Sequence, residues 1–305
     1  MIARKAVAGA VVASSMLFAH SASATPRWVD RLLTLPGPVA GTLNLDGSVA
    51  HADEPCIPGP GICGYNGFGS SIEGVLGLAS RVDIGLRVGL RGFADGNNVN
   101  EGVIANADAY ARMFDQLAFY GNGVQQAIYG NDFITNPELK VRVRILHLKR
   151  VFELGVEVRH NLPFLRATDF NLVAGVPMAL HAGRHVRFDF GGYTGFAFYG
   201  NGGGPFNGTG FSFYAPGALW FQIDRVYLGP LFGFRWYDHD VYGSSNPGNR
   251  NWDFMLGFGL GVALGHYVDF QLQSYFPRLN AWEQRQFGVG AGVQFYFGRR
   301  EGYYR

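Results

Sequence analysis

The feature that most constrains this chain is a strict alternation of side-chain character from Gln222 to Gln294. In Val226-Tyr227-Leu228-Gly229-Pro230-Leu231-Phe232-Gly233-Phe234-Arg235-Trp236, one set of alternate positions is large and apolar, and the other is mostly small or polar. Phe254-Met255-Leu256-Gly257-Phe258-Gly259-Leu260-Gly261-Val262-Ala263-Leu264 repeats the pattern. Successive side chains of a β-strand point to opposite faces, so a period of two means strands with two unlike faces. No run of about 18 apolar residues follows the N-terminal region, so the pattern provides no spanning helix. Glycine is abundant, at 45 of 305 residues. Glycine that frequent weakens ordinary strands unless the backbone must curve or be approached closely.

The alternation divides into a series of hairpins. A first strand is expected over residues 39–49, with Leu43 and Leu45 on the apolar face and Thr42, Asn44 and Asp46 on the other. Paired strands are expected over 70–79 and 83–93, 139–148 and 151–160, 171–180 and 186–199, 211–223 and 226–237, and 254–264 and 268–276. A last strand is expected over 286–297. The turns within these pairs are short, such as Lys149-Arg150 and Asp224-Arg225, whereas the connections between pairs are longer and rich in Gly, Asn and Pro. One strand, five hairpins and one strand make about twelve strands, an even number with both ends at the same rim. Residues 94–137 allow an alternative of fourteen. They carry a helical stripe (Val103, Ala107, Tyr110, Phe114, Leu117), yet Ala118-Phe119-Tyr120-Gly121-Asn122-Gly123 recurs at Ala197-Phe198-Tyr199-Gly200-Asn201-Gly202, where it ends a strand.

Alternation alone does not say which face points inward. A soluble β-sandwich would bury the apolar face. Three features favour the reverse. Large aromatics (Phe188, Phe190, Phe221, Phe232, Phe234, Phe258, Phe270) sit on the apolar face of strand after strand. The other face mixes charge with glycine, which suits a confined interior. Aromatics also gather at strand ends, at Tyr199, Phe211, Trp236, Tyr237, Trp252, Phe276, Tyr296 and Phe297, as they do in interfacial girdles. The expected fold is an all-β, antiparallel transmembrane β-barrel over residues 39–297. The N-terminus reads as a cleaved signal peptide, residues 1–24: Arg4 and Lys5 precede an apolar stretch, and Ala22-Ser23-Ala24 is a small-residue cleavage site. Its removal takes away two basic residues and no acidic one, so the formal charge of +2 falls to neutrality. A neutral chain lacks the basic face that nucleic acid requires as a partner. Residues 25–38, with Trp28, Val29, Leu32, Leu33 and Leu35, read as a periplasmic segment holding one or two turns of amphipathic helix; residues 298–305 read as a periplasmic tail.

With these features in view, the chain resembles the bacterial outer-membrane β-barrel superfamily over about residues 39–297. The last strand, Phe287-Gly288-Val289-Gly290-Ala291-Gly292-Val293-Gln294-Phe295-Tyr296-Phe297, looks like the superfamily's C-terminal assembly signal, with Gly298 to Arg305 following it. The resemblance implies location in the outer membrane of a Gram-negative bacterium, contact with its lipid, and recognition of that strand by the assembly machinery. It matches an architecture and no functional subfamily.

The polar face holds the candidate site residues. Glu73 is expected diagonal to Arg87 and Arg91, Arg142 opposite Glu157, and Arg144 diagonal to Glu153; Arg187, Asp189, Arg235, Asp253 and Asp269 continue the set. Opposite charges at such cross-strand spacings attract. The set fits an internal ion-pair lattice better than a charged filter, because no ring of one sign emerges. Gly257, Gly259, Gly261, Gly288, Gly290 and Gly292 are expected to leave space that Gln271, Gln273 and Tyr275 partly refill. Cys56 and Cys63 flank a Pro/Gly loop and are expected to form a disulfide; no metal or cofactor is expected. Asp238-His239-Asp240 is the best candidate for a hydrolase, but no Ser nucleophile motif accompanies it. The sequence therefore favours a passive porin-like channel for small polar solutes. A non-conducting structural or surface-binding barrel is the alternative, and a hydrolase stands behind both.

Overall fold

The computed structural model describes residues 28–55, 62–93, 137–148, 151–162, 170–199, 208–237, 252–276, 279–280 and 287–298. These form twelve strands: β1 (Gly41–Pro55), β2 (Ile62–Ala79), β3 (Val82–Phe93), β4 (Glu138–Leu148), β5 (Phe152–Asn161), β6 (Phe170–Ala182), β7 (Val186–Tyr199), β8 (Gly208–Ile223), β9 (Val226–Tyr237), β10 (Trp252–Ala263), β11 (Val268–Phe276) and β12 (Phe287–Phe297). Each strand pairs antiparallel with its neighbours in sequence, and β12 pairs back onto β1 from Gly41↔Phe297 to His51↔Phe287, which closes the barrel. Closure leaves no strand edge with unpaired backbone groups, the condition for β-structure in lipid. β3 pairs directly with β4, from Val82↔Val143 to Arg87↔Glu138, so the wall closes with these two strands as neighbours. The count is twelve and not fourteen.

Burial decides which face points inward. Ile72, Phe258, Leu260, Leu272 and Val289 are exposed on the outer surface, whereas Asn44, Glu73, Arg159, Asp253 and Gln271 are buried. This inverts the pattern of a soluble protein and matches an apolar belt facing hydrocarbon around a polar interior. One strand breaks its own period. In β4 the register shifts between Arg144 and Leu146, a bulge that leaves both Ile145 and Leu146 facing out. Two adjacent apolar residues are thereby kept on the lipid side at the cost of one unpaired position. Short turns join β2–β3, β4–β5, β6–β7, β8–β9 and β10–β11 at one rim, where β1 starts and β12 ends. Asp224 accepts φ 52° in the two-residue β8–β9 turn, a conformation that Asp tolerates better than most side chains.

The segment before β1 does not form an amphipathic helix. A single 3-10 turn, Trp28–Asp30, is followed by an irregular, partly extended stretch up to residue 36. Trp28, Val29, Leu33 and Leu35 are buried. The sequence reading set this segment apart from the barrel, whereas the structure lays it against the inner wall at the short-turn rim. The signal peptide, the tail beyond Gly298, Cys56, the side chain of Cys63 and the Asp238-His239-Asp240 triplet lie outside the described residues.

Candidate functional site

The inward face of β2–β5 carries a lattice of paired charges. Arg142 stands opposite Glu157 and reaches its carboxylate at 2.5 Å. Arg159 bonds the same carboxylate at 2.6 Å and Glu138 at 3.3 Å, so four charges alternate in sign along β4 and β5. Arg144 meets Glu153 at 3.3 Å, the diagonal contact expected from sequence. Elsewhere on the wall, Arg187 meets Asp189 at 2.8 Å, and Arg235 meets Asp253 at 2.6 Å, directly across β9 and β10.

Glu73 departs from expectation. It lies directly opposite Arg87 and not diagonal to it. The β2–β3 turn pairs Ala79 with Val82, and a register shift between Gly77 and Ala79 moves the ladder by a further residue. Arg91 consequently pairs with Gly69; its side chain lies outside the described residues. The Glu73 carboxylate is bound by Lys140 and by Asn44 Nδ2 at 3.0 Å. Lys140, Glu138 and Arg159 were missed as site residues, although they share the inward parity of Arg142 and Glu157.

The glycine-rich wall is not vacant. Gly259 faces the Trp220 ring, and a methyl group at Gly259 would lie 2.5 Å from it. At Gly261 the same group would lie 2.1 Å from Tyr227 Cζ. Glycine here gives flat aromatic rings room on the wall. Tyr227 is in turn stacked on Trp28, with centroids 4.5 Å apart and planes 5° from parallel. Gly261→Ala should therefore displace Tyr227 and destabilise the barrel by about 1–3 kcal/mol, as overpacking generally does. Thermal unfolding followed by circular dichroism in detergent should show a lower midpoint. Gly74→Ala, where nothing lies within 4 Å of the added methyl, should leave the midpoint near that of the unmodified chain.

Residues 28–36 run around the inside of the wall. From β9, where Trp28 stacks, the segment passes β8, then β7 and β6, then β5 and β4, and finally β3. The Val29 amide donates to Gln222 Oε1 at 3.1 Å, and its carbonyl is 2.7 Å from His181 Nδ1. Arg187 donates to the Arg31 carbonyl at 2.5 Å. The Leu33 amide donates to Glu153 at 3.2 Å, while its carbonyl accepts from Arg142 at 3.0 Å. The Leu35 amide donates to both Asp83 oxygens, at 3.0 and 3.1 Å. The Arg31 side chain crosses to β11 and β12, meeting Asp269 at 2.7 Å and Gln294 at 2.6 Å. Its guanidinium lies 4.0 Å from the Trp28 ring centroid and 4.4 Å from that of Tyr296. The segment leaves the wall at Gly37, beside Gly77, where any β-carbon would come within 2.5 Å of the Gly37 carbonyl.

A partly open cavity of about 120 Å³ borders this segment and is lined by Trp28, Arg31, Glu73, Lys140, Arg142 and Arg187 among others. Trp28, Trp220 and Leu231, which line that space, belong to a buried cluster with Tyr227, Met255 and Tyr275, and Val173, Tyr193 and Tyr214 form a second buried cluster.

Closed walls of this kind define a class, the bacterial outer-membrane β-barrels. No protein-family model matches this chain, and no curated protein matches it. Solved structures share its fold. The COG4313 outer membrane channel from Pseudomonas putida F1 superposes with a TM-score of 0.55 at 11% identity, covering 89% of this chain and 99% of that one. The NanC porin superposes with a TM-score of 0.54 at 8% identity, covering 83% of this chain and 98% of that one. The chain thus has the fold of the outer-membrane barrels that include porins and channels.

Proposed function

We propose that this protein is a narrow, passive porin-like channel for small polar solutes, with its bore set by residues 28–36. The observation that carries this reading is the lumen itself. A closed twelve-stranded wall encloses a partly open cavity of about 120 Å³ lined in part by hydrogen-bonding and charged groups. The fold shared with a channel and a porin supports the same reading. The ion pairs bear on selectivity. Arg142, Arg144, Arg159, Arg187, Arg235 and Lys140 each face a carboxylate within the wall, so their fields largely cancel along the path of a solute. A filter with strong ion preference uses rings of one sign. Purified protein in planar bilayers should give small, discrete conductance steps, with a reversal potential near zero in a salt gradient. Absence of steps at every salt concentration and voltage would sink the channel reading.

One observation favours a second reading, a non-conducting structural barrel. Residues 28–36 are bonded to most of the wall and fill much of one mouth. Correct folding without conductance is the result that would select it. The paired state of the inner charges also argues against a hydrolase, which needs an acid or base free to act on substrate.

A further inference from the structure

We infer that the short-turn mouth of the barrel is a peptide-binding cleft, occupied in cis by residues 28–36, which accepts a short peptide with an aromatic residue followed three positions later by arginine. The inference concerns binding and stands whether or not the barrel conducts.

The first ground is how the wall holds the segment. Its contacts to the main chain fall at Val29, Arg31, Leu33 and Leu35, every second residue. The spacing holds although the segment is no regular strand, since Trp28–Asp30 form a 3-10 turn and bends follow. The readers are side chains from six strands: Gln222, His181, Arg187, Glu153, Arg142 and Asp83. Acceptors meet amides and donors meet carbonyls, so main-chain polarity is recognised with little regard to side-chain identity. Peptide-recognition sites commonly divide the work this way: main-chain hydrogen bonds give affinity and a few pockets give specificity.

The second ground is the two side-chain pockets. Trp28 enters an aromatic slot, stacked on Tyr227 and edge-on to Trp220 at 5.9 Å. Arg31 enters a site where Asp269 and Gln294 both accept from one terminal nitrogen and Tyr296 takes one guanidinium face. Buried Trp and Arg anchors of this kind dominate binding energy at interfaces. The third ground is what remains if the segment leaves. Gln222, Glu153, Arg142, Arg187 and Asp83 would all lose a partner in a confined space where unmet hydrogen bonds are costly. Such a wall favours a peptide in place.

The test keeps the barrel folded before it is opened. A protease-recognition sequence is inserted between Pro38 and Val39, in the exposed turn before β1, and the folded full chain is cut after purification. A fluorescent peptide with the sequence of residues 25–38 should then exchange into the cut protein, as read by anisotropy. Peptides carrying Trp28→Ala or Arg31→Ala should bind roughly tenfold or more weaker, the loss expected of an anchor residue. Equal binding of a scrambled peptide would overturn the inference. So would complete failure to exchange, since the segment would then be a permanent part of the barrel interior. A second measurement needs no insertion. The uncut chain should exclude the labelled peptide, because a tethered occupant competes at high effective concentration. The uncut Trp28→Ala chain should admit it, and exclusion by both chains would count against the cleft.

Discussion

Replacing Trp28 by Ala should open the lumen, and single-channel conductance is expected to rise well above that of the unmodified chain. Trp28 contributes the largest buried surface of the inner segment, stacked on Tyr227 and packed edge-on against Trp220. It also forms one face of the sandwich that positions Arg31. Truncating a buried Trp to Ala generally costs about 3–5 kcal/mol. That cost falls on docking of the segment and not on closure of the wall, because the ladder from β1 to β12 does not pass through Trp28. A loss of about 3 kcal/mol lowers the docking equilibrium constant by about two orders of magnitude. Circular dichroism should still report a folded barrel. Unchanged conductance in a folded Trp28→Ala protein would show that the segment does not set the bore.

The second large effect is on stability. Arg235→Ala should lower the thermal midpoint sharply, because it strands Asp253. Both residues are almost wholly buried, at 0% and 1% exposure, and Arg235 holds the carboxylate through Nε at 3.3 Å and a terminal nitrogen at 2.6 Å. Breaking a buried pair by removing one partner typically costs about 3–5 kcal/mol, since the remaining charge is left uncompensated. The double change Arg235→Met with Asp253→Leu should recover most of the loss, because a buried pair contributes little net stability over apolar residues of similar volume. Thermal unfolding of the three variants in one detergent checks both statements. Equal midpoints for Arg235→Ala and the unmodified protein would mean that water enters this part of the wall and solvates Asp253.

The wall was legible because its signal is local and repeated. Arg142 and Glu157 face each other as expected, although the ladder begins one residue off at Leu148 and Phe152, because the bulge between Arg144 and Leu146 restores the register. Lys140 and Arg159 lie on the same parity and follow from the same rule. Glu73 and Arg87 were misaligned by two residues, one from the Ala79–Val82 turn pairing and one from the register shift near Gly77, which has no sequence mark beyond an ordinary glycine. Glycine on β10 was legible as space, but Trp220 and Tyr227 lie over it from two other strands, and strand periodicity does not reveal which ring reaches where.

By itself the sequence determined that this chain alternates, closes into an even-numbered barrel and turns its large apolar face outward. Each of these follows from neighbours a few residues apart along a strand. Only the tertiary structure decided what fills the interior. Leu35 meets Asp83 across 48 residues of sequence, and Arg31 meets Gln294 across 263. Residues 28–36 have no period of their own, since their regularity belongs to the wall that binds them. A segment held mainly by partners so distant has a conformation that no local pattern along the sequence can reveal.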